Sequence, residues 1–305
     1  MPAGGSSIFT DAIGYQDSLR DLVGLLVEQQ QPFHARLTWV NLPQLRLLRA
    51  RESSPRVAFL TLPQASVSIS FVIDHGSTLV CDGIKLQFGD ILWHGRGDRL
   101  HQRTAGPARW GAILLSPATL VASGVAVTGR ILAPPLIRRV MRPRPVDLRL
   151  LTRLHAQIGR IAETAPDRIG HKEVVRAVEQ DLLLALLNCL AGGDRGEVRQ
   201  QPGLLVRLEA LLMAQRRLLR THEISEALGV SPRLIQAACN RVLGMSPRRY
   251  QRLRRLTLTL ADLTRAEADS AIAIVRHHGF ADVRGFAAEH LFFYGTPPPF
   301  GHTDG

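Results

Sequence analysis

A small set of side chains in the last third of the chain has the types and the spacing needed to hydrogen-bond to the edges of nucleic-acid bases. Arginine pairs with guanine, and glutamine or asparagine pairs with adenine, each pair being worth about 1–3 kcal/mol of discrimination. The members stand at positions i, i+3, i+4 and i+7, so they share one face of a predicted helix. The predicted base-reading residues on this face are Arg233, Gln236, Ala237 and Asn240.

The helix that carries this face has a defined beginning and an apolar back. Ser231 is predicted to cap it, and Pro232 is tolerated in the first turn. The opposite face carries Ile235, Ala238, Cys239 and Val242. A shorter helix over 222–228 precedes it, capped by Thr221 and ended by Gly229. Two helices joined in this way form a unit that fits the major groove of DNA.

A basic segment follows this unit. Between Arg241 and Arg255 there are six arginines and no acidic residue. The sequence Gly-Met-Ser-Pro at 244–247 predicts a turn that caps a further helix, and the first N–H groups of that helix are suited to a phosphate. The predicted phosphate contacts are therefore Ser231, Arg241, Ser246, Arg248 and Arg249.

The run SPRLIQAACNRVLGMSPRRYQRLRRL resembles the first helix-turn-helix unit of AraC/XylS-type transcription regulators, most visibly in Gly-Met-Ser-Pro, Tyr250 and the segment 254–256. The run SAIAIVRHHGFADVRGFAAEHLFFYGTPPPF resembles the second unit of that family. The resemblance implies that two units bind successive major grooves of double-stranded DNA, and that activators of this kind contact RNA polymerase. The β-rich front half loosely resembles the effector-binding part of these regulators, and the whole layout is nearest to regulators of the ethanolamine-utilisation kind.

The second unit departs from the pattern of the family. Its recognition helix is predicted to begin after Asp282, which can cap it. The base-reading residues there would be Val283, Arg284 and Ala287, of which only Arg284 is a strong hydrogen-bonding group. His290 stands where the family has a core aromatic residue. We therefore expect weaker or mostly shape-based reading of DNA by this unit.

Composition and charge fit a nucleic-acid partner. The 305 residues carry a formal charge of +12, almost all of it from arginine, which forms bidentate contacts with phosphate and guanine. The three cysteines lie far apart and predict small buried side chains in a reducing compartment. The sequence contains no apolar run long enough to span a membrane and no secretory signal, so a cytoplasmic protein is expected.

The texture of the chain predicts an α+β protein with four parts. Residues 1–32 are predicted to be a tail and one amphipathic helix near Gln16–Gln29, and residues 33–135 a β-rich effector-binding barrel or sandwich of the cupin-like kind. Residues 146–191 are predicted to be linker or dimerisation helices, and residues 203–305 an all-α DNA-binding domain with two helix-turn-helix units. The apolar stripes at 146–164 and 170–190 fit either packing within one chain or a homodimer interface.

The predicted strands were placed by short runs of valine, isoleucine, leucine and phenylalanine between turn signals. They are His34–Val40, Leu45–Ala50, Arg56–Leu62, Ser66–Ile73, Ser77–Val80, Ile84–Phe88, Asp90–His94 and Arg109–Leu115. The Ser-rich segment 64–70 either lines a small-molecule cavity or packs against a bulky neighbour. Trp39, Trp93 and Trp110 either border such a cavity or fill the core.

An enzyme is the main alternative. Cupin-type barrels often carry clustered histidines as metal ligands, but His75, His94 and His101 contain no His-x-His pair and have no glutamate nearby. No nucleophile elbow, phosphate loop or dinucleotide fingerprint is present. We therefore expect no metal site, no cofactor and no catalytic residue.

These observations predict a sequence-specific DNA-binding transcription regulator. The expected partners are double-stranded DNA, a small-molecule effector, RNA polymerase and a second copy of the chain. The alternatives are a metal-dependent cupin-like enzyme, and a regulator-derived interaction protein whose reading of DNA has weakened.

Overall fold

The computed structural model describes residues 3–19, 22–27, 33–196, 203–215, 217–265 and 271–298. Within them the strands are β1 Gly4–Phe9, β2 Leu22–Val27, β3 Ala35–Asn41, β4 Leu45–Glu52, β5 Arg56–Thr61, β6 Val67–Val72, β7 Leu79–Cys81, β8 Ile84–Leu86, β9 Ile91–Trp93, β10 Arg99–Thr104, β11 Ala108–Leu115, β12 Arg139–Arg142 and β13 Asp194–Gly196. The helices are α1 Ala12–Ser18, α2 Pro117–Thr128, α3 Pro145–Thr164, α4 Lys172–Gly192, α5 Leu204–Ala214, α6 Thr221–Leu228, α7 Pro232–Leu243, α8 Pro247–Arg265, α9 Ala271–His277 and α10 Val283–Tyr294.

Two antiparallel sheets form the front of the molecule. The larger has the strand order β1-β3-β4-β11-β6-β9-β12-β13, and the smaller has the order β2-β5-β10-β7-β8. Helices follow the sheets, and α5 to α10 form a helical C-terminal region. The predicted α+β class is confirmed, with its β-rich front and its all-α end.

The amphipathic helix predicted near Gln16–Gln29 is wrong. Among the described residues of this segment only those of α1 are helical, and Leu22–Val27 form β2, which pairs with β5 in the smaller sheet. Residues 20–21 and 28–29 of the predicted helix lie outside the described part. The tail also contains a strand, β1, which pairs with β3. The leucines and valines of β2 fit either period, and the pairing with β5 decides for the strand.

The strand β10 was not predicted. Its sequence RLHQRT is polar and does not look like a buried strand. It nevertheless lies between β5 and β7, with His101 facing Phe59 and Gln102 facing both Ala58 and Cys81. Partners on both sides satisfy the backbone of this strand, and its buried polar side chains are held by hydrogen bonds.

The helices α3 and α4 match the predicted segments closely. Leu182, Leu186 and Leu190 are buried with the core residues of the larger sheet, as are Leu151 and Ile158 of α3. Most of the apolar stripe is therefore used within one chain. The chain between α4 and α5 is partly structured as well, because β13 pairs with β12; residues 197–202 lie outside the described part.

No helix in the described part of the chain is long and apolar enough to cross a membrane.

Candidate nucleic-acid interface

The predicted recognition helix is α7. The Ser231 Oγ accepts a hydrogen bond from the Leu234 N–H at 3.3 Å, and Pro232 occupies the first helical position. The helix ends at Gly244, whose φ of 73° lies in the left-handed region that glycine adopts without strain. The cap and the start of the helix are where the sequence predicts them.

The two faces of α7 differ sharply in exposure. Its back packs into the apolar core of the C-terminal region through Ile235, Ala238, Cys239 and Val242. On its front Arg233, Ala237 and Asn240 are exposed and Gln236 is partly exposed. The Gln236 Nε2 donates to the Asn240 Oδ1 at 3.0 Å, so these two amides are already aligned along one face. The predicted back is confirmed, and all four predicted base readers share the opposite face.

The preceding helix α6 begins one residue earlier than predicted. Its N-cap is Arg220 rather than Thr221, and the Glu223 carboxylate accepts a hydrogen bond from the Arg220 N–H at 2.6 Å. Glu223 also pairs with Arg217, whose hydrogen bond is the main reason that the pKa of Glu223 falls to about 2. Gly229 ends the helix with a φ of 64°, as predicted.

Four of the five predicted phosphate contacts lie near the end of α7 and the start of α8. The Ser246 Oγ accepts from the Arg249 N–H at 3.3 Å, and Arg248 and Arg249 are exposed in the first turn. Arg241 is also exposed, but its side chain lies against Gly83 of the front sheet. Ser231 is exposed at the N-terminus of α7. Arg248, Arg249 and the nearby N–H groups thus form a cationic helix start of the kind that binds phosphate.

The rest of the basic run is used inside the protein. Arg252 and Arg255 both pair with Glu289, at 3.0 and 2.7 Å, and the Arg255 guanidinium lies 3.8 Å from the centre of the Phe280 ring. Arg254 pairs with Glu209 at 2.9 Å. Half of the arginines between positions 241 and 255 therefore join helices together instead of facing solvent. The sequence did not show this, because the two carboxylates are distant along the chain.

The second unit is formed by α9 and α10. The Asp282 Oδ1 caps α10 by accepting from the Gly285 N–H at 2.7 Å, as predicted. Arg284 is exposed near the start of α10, whereas Val283 and Ala287 are partly exposed. The predicted recognition face is present and offers one strong hydrogen-bonding side chain.

His290 takes the place of a core aromatic residue in this unit. It is buried, and its ring centre lies 6.2 Å from that of Phe286 and 4.7 Å from that of Tyr294. Burial lowers the pKa of His290, and its Nδ1 lies 2.7 Å from the Thr296 carbonyl oxygen. A neutral imidazole that donates to this carbonyl explains how histidine fits here.

A cavity lies within the front part of the molecule. Ser68 and Ser70 of β6 line it, as do Trp110 and His94. Its volume is about 70 Å³, whereas a single water molecule needs roughly 10–15 Å³ on the same measure. It therefore has room for a few water molecules or a small organic ligand. Of the two alternatives for the Ser-rich segment, the structure favours the cavity wall.

The polar part of the cavity wall contains a buried ion pair. The Arg56 Nε donates to the Glu52 Oε2 at 3.0 Å, and the Arg56 Nη2 donates to the Gln102 Oε1 at 2.6 Å. Glu52 also accepts from Trp110 Nε1 and from the Tyr15 hydroxyl, at 2.9 and 2.8 Å. These mutual bonds satisfy both charges. Among the described residues, no group of three or more histidine, cysteine, aspartate or glutamate side chains is placed to hold a metal ion.

Residues 224–299 match a family model described as a helix-turn-helix domain. The C-terminal region is a helix-turn-helix domain of the AraC type. The match spans both units described above, from within α6 to the end of α10. With such a domain attached to a β-rich front part, the protein is a DNA-binding transcription regulator.

Two solved structures are similar to this chain over most of its length. The AraC-like transcriptional activator CuxR has 13% identity, with 90% of this chain and 99% of that chain covered and a TM-score of 0.47. ToxT from Vibrio cholerae has 10% identity, with 84% and 96% covered and a TM-score of 0.30. No curated protein matches this sequence.

The AraC-type domain also contains buried polar residues that sequence reasoning did not single out for a site. Tyr250 and Glu209 are each 2% exposed, and both approach His101 of the front sheet. The sequence identifies Tyr250 only as part of the family motif, and His101 only as one of three histidines that do not form a metal-binding pattern. Their proximity spans 149 positions of sequence and has no local signal.

Proposed function

We propose that α7 lies in the major groove and selects the sequence that the protein binds. Arg233, Gln236 and Asn240 would hydrogen-bond to base edges, and Ala237 would allow close approach. The observation that carries this assignment is the contrast between the buried back of α7 and its exposed polar front. Leu234, which the sequence prediction omitted, is 52% exposed beside Arg233 and would contact a thymine methyl group.

The cationic start of α8 would hold the DNA backbone. Arg248 and Arg249 project from the first turn, next to the Ser246 cap, and Ser231 marks the N-terminus of α7. Phosphate contacts fix the register of a protein on the duplex without reading its sequence. Arg241 would join them once its side chain leaves Gly83.

The second unit would add affinity more than specificity. Arg284 is the strong hydrogen-bonding group at the start of α10, and Val283 and Ala287 beside it offer only apolar contact. The ion pairs from Glu289 to Arg252 and Arg255 fix α10 against α8. The two units would therefore dock on one face of the DNA as a rigid pair, about one helical turn apart.

The front cavity would bind a small effector rather than carry out a reaction. Its wall is largely apolar, with leucines and Trp110, and its polar part includes the Arg56–Glu52 pair. The other polar lining residues are Ser18, Arg46, Ser68, Ser70, His94 and Gln102. A cavity of this kind suits a small, mostly apolar molecule with one or two hydrogen-bonding groups. Metal analysis of the purified protein tests the alternative, because stoichiometric iron, manganese or zinc would indicate a metalloenzyme.

Three further assignments belong to this proposal. Val174 and Leu184 are exposed on α4, at 38% and 43%, and would form part of a homodimer contact. An activator would also contact RNA polymerase, and the protein would act in the cytoplasm. Cross-linking in solution and fractionation of cells test the dimer and the location.

A selection of binding sites from random duplex DNA tests the role of α7. Replacing Arg233→Ala or Gln236→Ala should change the preferred base at one or two positions, at about 1–3 kcal/mol for each lost contact. The matched variant Arg284→Ala, in the second unit, should change the preference much less.

An unchanged preference in both α7 variants would rule out this assignment of base readers. Total lack of DNA binding by the wild-type chain, measured by electrophoretic shift at low salt, would instead favour the interaction protein. A DNA binder loses affinity steeply as salt rises, so the shift should disappear between about 50 and 200 mM salt.

A further inference from the structure

A continuous series of buried and half-buried polar contacts begins at the cavity. The Ser70 Oγ lies 2.8 Å from the His94 Nε2, and the His94 Nδ1 lies 3.4 Å from the Asp98 Oδ2. Burial lowers the pKa of His94, so its ring is neutral at neutral pH. The pKa of Asp98 is raised by burial but lowered further by the hydrogen bonds from His94 and Arg138, so it is a carboxylate. The Nδ1–H therefore points to Asp98, and the Nε2 accepts the Ser70 hydrogen.

Arg138 connects Asp98 to Asp82, which lies farther along the series from the cavity. It is 3% exposed, and its guanidinium grips Asp98 with two bonds, from Nε to Oδ2 at 2.8 Å and from Nη2 to Oδ1 at 2.6 Å. The Nη1 on its other edge donates to the Asp82 Oδ2. A planar guanidinium between two carboxylates fixes the position of each with respect to the other.

Asp82 is connected to the AraC-type domain through His101. The Asp82 Oδ1 accepts from the His101 backbone N–H at 2.8 Å. The His101 ring is fully buried, and its Nε2 lies 2.9 Å from the Tyr250 hydroxyl of α8. That hydroxyl donates to the Glu209 Oε1 of α5, and Glu209 pairs with Arg254 through its other oxygen at 2.9 Å.

The smaller sheet separates the cavity from the AraC-type domain. One of its faces lines the cavity, and the other packs against the helices of that domain. Neighbouring residues of a strand point to opposite faces. Ala58 of β5 and Gln102 of β10 line the cavity. Their neighbours Val57 and His101 face the helices, since Val57 belongs to the apolar core of the C-terminal region and His101 touches Tyr250. A displacement of these strands therefore moves both the side chains that line the cavity and the side chains that contact the helices.

We propose that the contacts from Ser70 through His94, Asp98, Arg138, Asp82 and His101 to Tyr250 form a polar relay that couples the cavity to the docking of the AraC-type domain. The proposal rests on the proposed function in one respect, that the cavity is the effector site. A small ligand that accepts the Ser70 hydrogen, or donates to the His94 Nε2, replaces the first contact. The later members are buried or half-buried, and each is hydrogen-bonded to the next, so a shift of one leaves the next unsatisfied unless it moves as well. Within His101 the Nε2 faces Tyr250, whereas the buried Nδ1 has no hydrogen-bond partner.

The docking of the AraC-type domain on the front sheet matters because residues of the proposed DNA-binding surface take part in it. Arg241 lies against Gly83, and Arg103 lies against Gly244, where an added Cβ would come within 2.9 Å of the Arg103 Nη1. Both contacts are at the phosphate-facing end of α7. If the relay weakens the contact between Tyr250 and His101, Arg241 and the start of α8 therefore become available to the DNA backbone.

Hydrogen–deuterium exchange of the full chain tests the relay without DNA or ligand. Ser70→Ala removes the first contact and should speed exchange in α5 and in the first half of α8 by about tenfold, the effect of one lost net hydrogen bond. The matched variant Ser68→Ala alters the same strand and the same cavity but keeps the Ser68 carbonyl that accepts from the His94 N–H at 3.0 Å, so α8 should exchange as in the wild type. Ser70→Thr keeps the hydroxyl and should also exchange like the wild type.

Tyr250→Phe breaks the other end of the relay and should produce the same increase. The double variant Ser70→Ala with Tyr250→Phe should exchange no faster than Tyr250→Phe alone, because the two changes act on one route. Equal α8 exchange in Ser70→Ala and Ser68→Ala, or strictly multiplied effects in the double variant, would overturn the relay. Loss of DNA binding leaves these readouts unaffected, so the two proposals fail separately.

Discussion

Arg248 and Gln236 are both at the surface of the AraC-type domain, yet they should act on different parts of a DNA duplex. Arg248 projects from the first turn of α8, whereas Gln236 lies on the front of α7 and bonds to Asn240. A phosphate contact adds affinity for every sequence, and a base contact changes the ranking of sequences. Substitutions at the two positions should therefore have distinguishable signatures.

Arg248→Ala should weaken binding to all sequences alike and reduce the slope of log K against log salt by about 0.9. The slope falls because one fewer counterion is released from the DNA when the protein binds. Fluorescence anisotropy with one selected and one random duplex, over a series of salt concentrations, measures both quantities. Arg176→Ala, an exposed arginine on α4 away from the candidate interface, is the control and should leave the slope as it is. A selective loss on the preferred duplex would instead make Arg248 a base reader.

At this scale the sequence predicts local features and misses distant ones. The caps Ser231 and Asp282 and the buried back of α7 depend on residues only three or four positions apart, so the helical period reveals them. Arg138 and His101 acquire their roles from carboxylates and a hydroxyl brought together by the fold. No spacing rule contains that information.

Among the elements, α3 is attached to the larger sheet by a buried histidine. The His155 Nε2 lies 3.0 Å from the Leu48 carbonyl oxygen, and the ring meets the edge of Phe71 at 5.1 Å between centres. It covers Gly111, where a Cβ would come within 2.8 Å of the ring. Burial lowers the pKa of His155 to about 4, so the ring is neutral and donates to the carbonyl.

This histidine should make the protein less stable in mild acid. The unfolded chain takes up a proton near pH 6.5 and the folded chain only near pH 4, so stability falls as the pH drops through that window, by up to about 3 kcal/mol. His155→Gln keeps a donor and removes the titration. Urea unfolding between pH 7 and 4 should show a shallower loss in the variant than in the wild type. Burial also lowers the pKa of His94 and His290, so some loss persists in both proteins, and parallel curves would contradict the assignment.

Secondary structure was predictable where one period dominates. The stripes of α3 and α4 gave those helices almost to the residue, because their apolar positions repeat only at helical spacing. The leucine-rich stretch of β2 suits a helix and a strand equally, and only its pairing with β5 decides between them. The polar strand β10 needed partners on both sides, which the local sequence does not show.

For the whole molecule, the β-rich front and the AraC-type domain share an apolar core. Val57 of β5 is 4% exposed and Leu26 of β2 is 5% exposed, and both belong to the cluster formed by α5 to α10. The domain prediction from sequence treated residues 33–135 and 203–305 as independent units joined by helices. The shared cluster shows a packed interface between them that the segment boundaries did not suggest.

Because of this shared core, the wild-type chain should unfold in a single heat-absorption peak. Val57→Asp buries an unpaired carboxylate at the joint, which is unfavourable enough to separate the two parts. Differential scanning calorimetry should then show two peaks. Val57→Ala, which removes apolar contact without adding charge, should keep one peak at a lower temperature. Two peaks in the wild type would mean that the joint does not couple the parts.

The three cysteines are all buried, and burial raises the pKa of each thiol to about 12. Each lies in a different region: Cys81 in the smaller sheet, Cys189 in α4 and Cys239 on the buried back of α7. A thiol reagent therefore has nothing to attack until some region opens. Timed alkylation in rising denaturant, followed by peptide mass analysis, would read out which of the three regions breathes first, with no label or added probe.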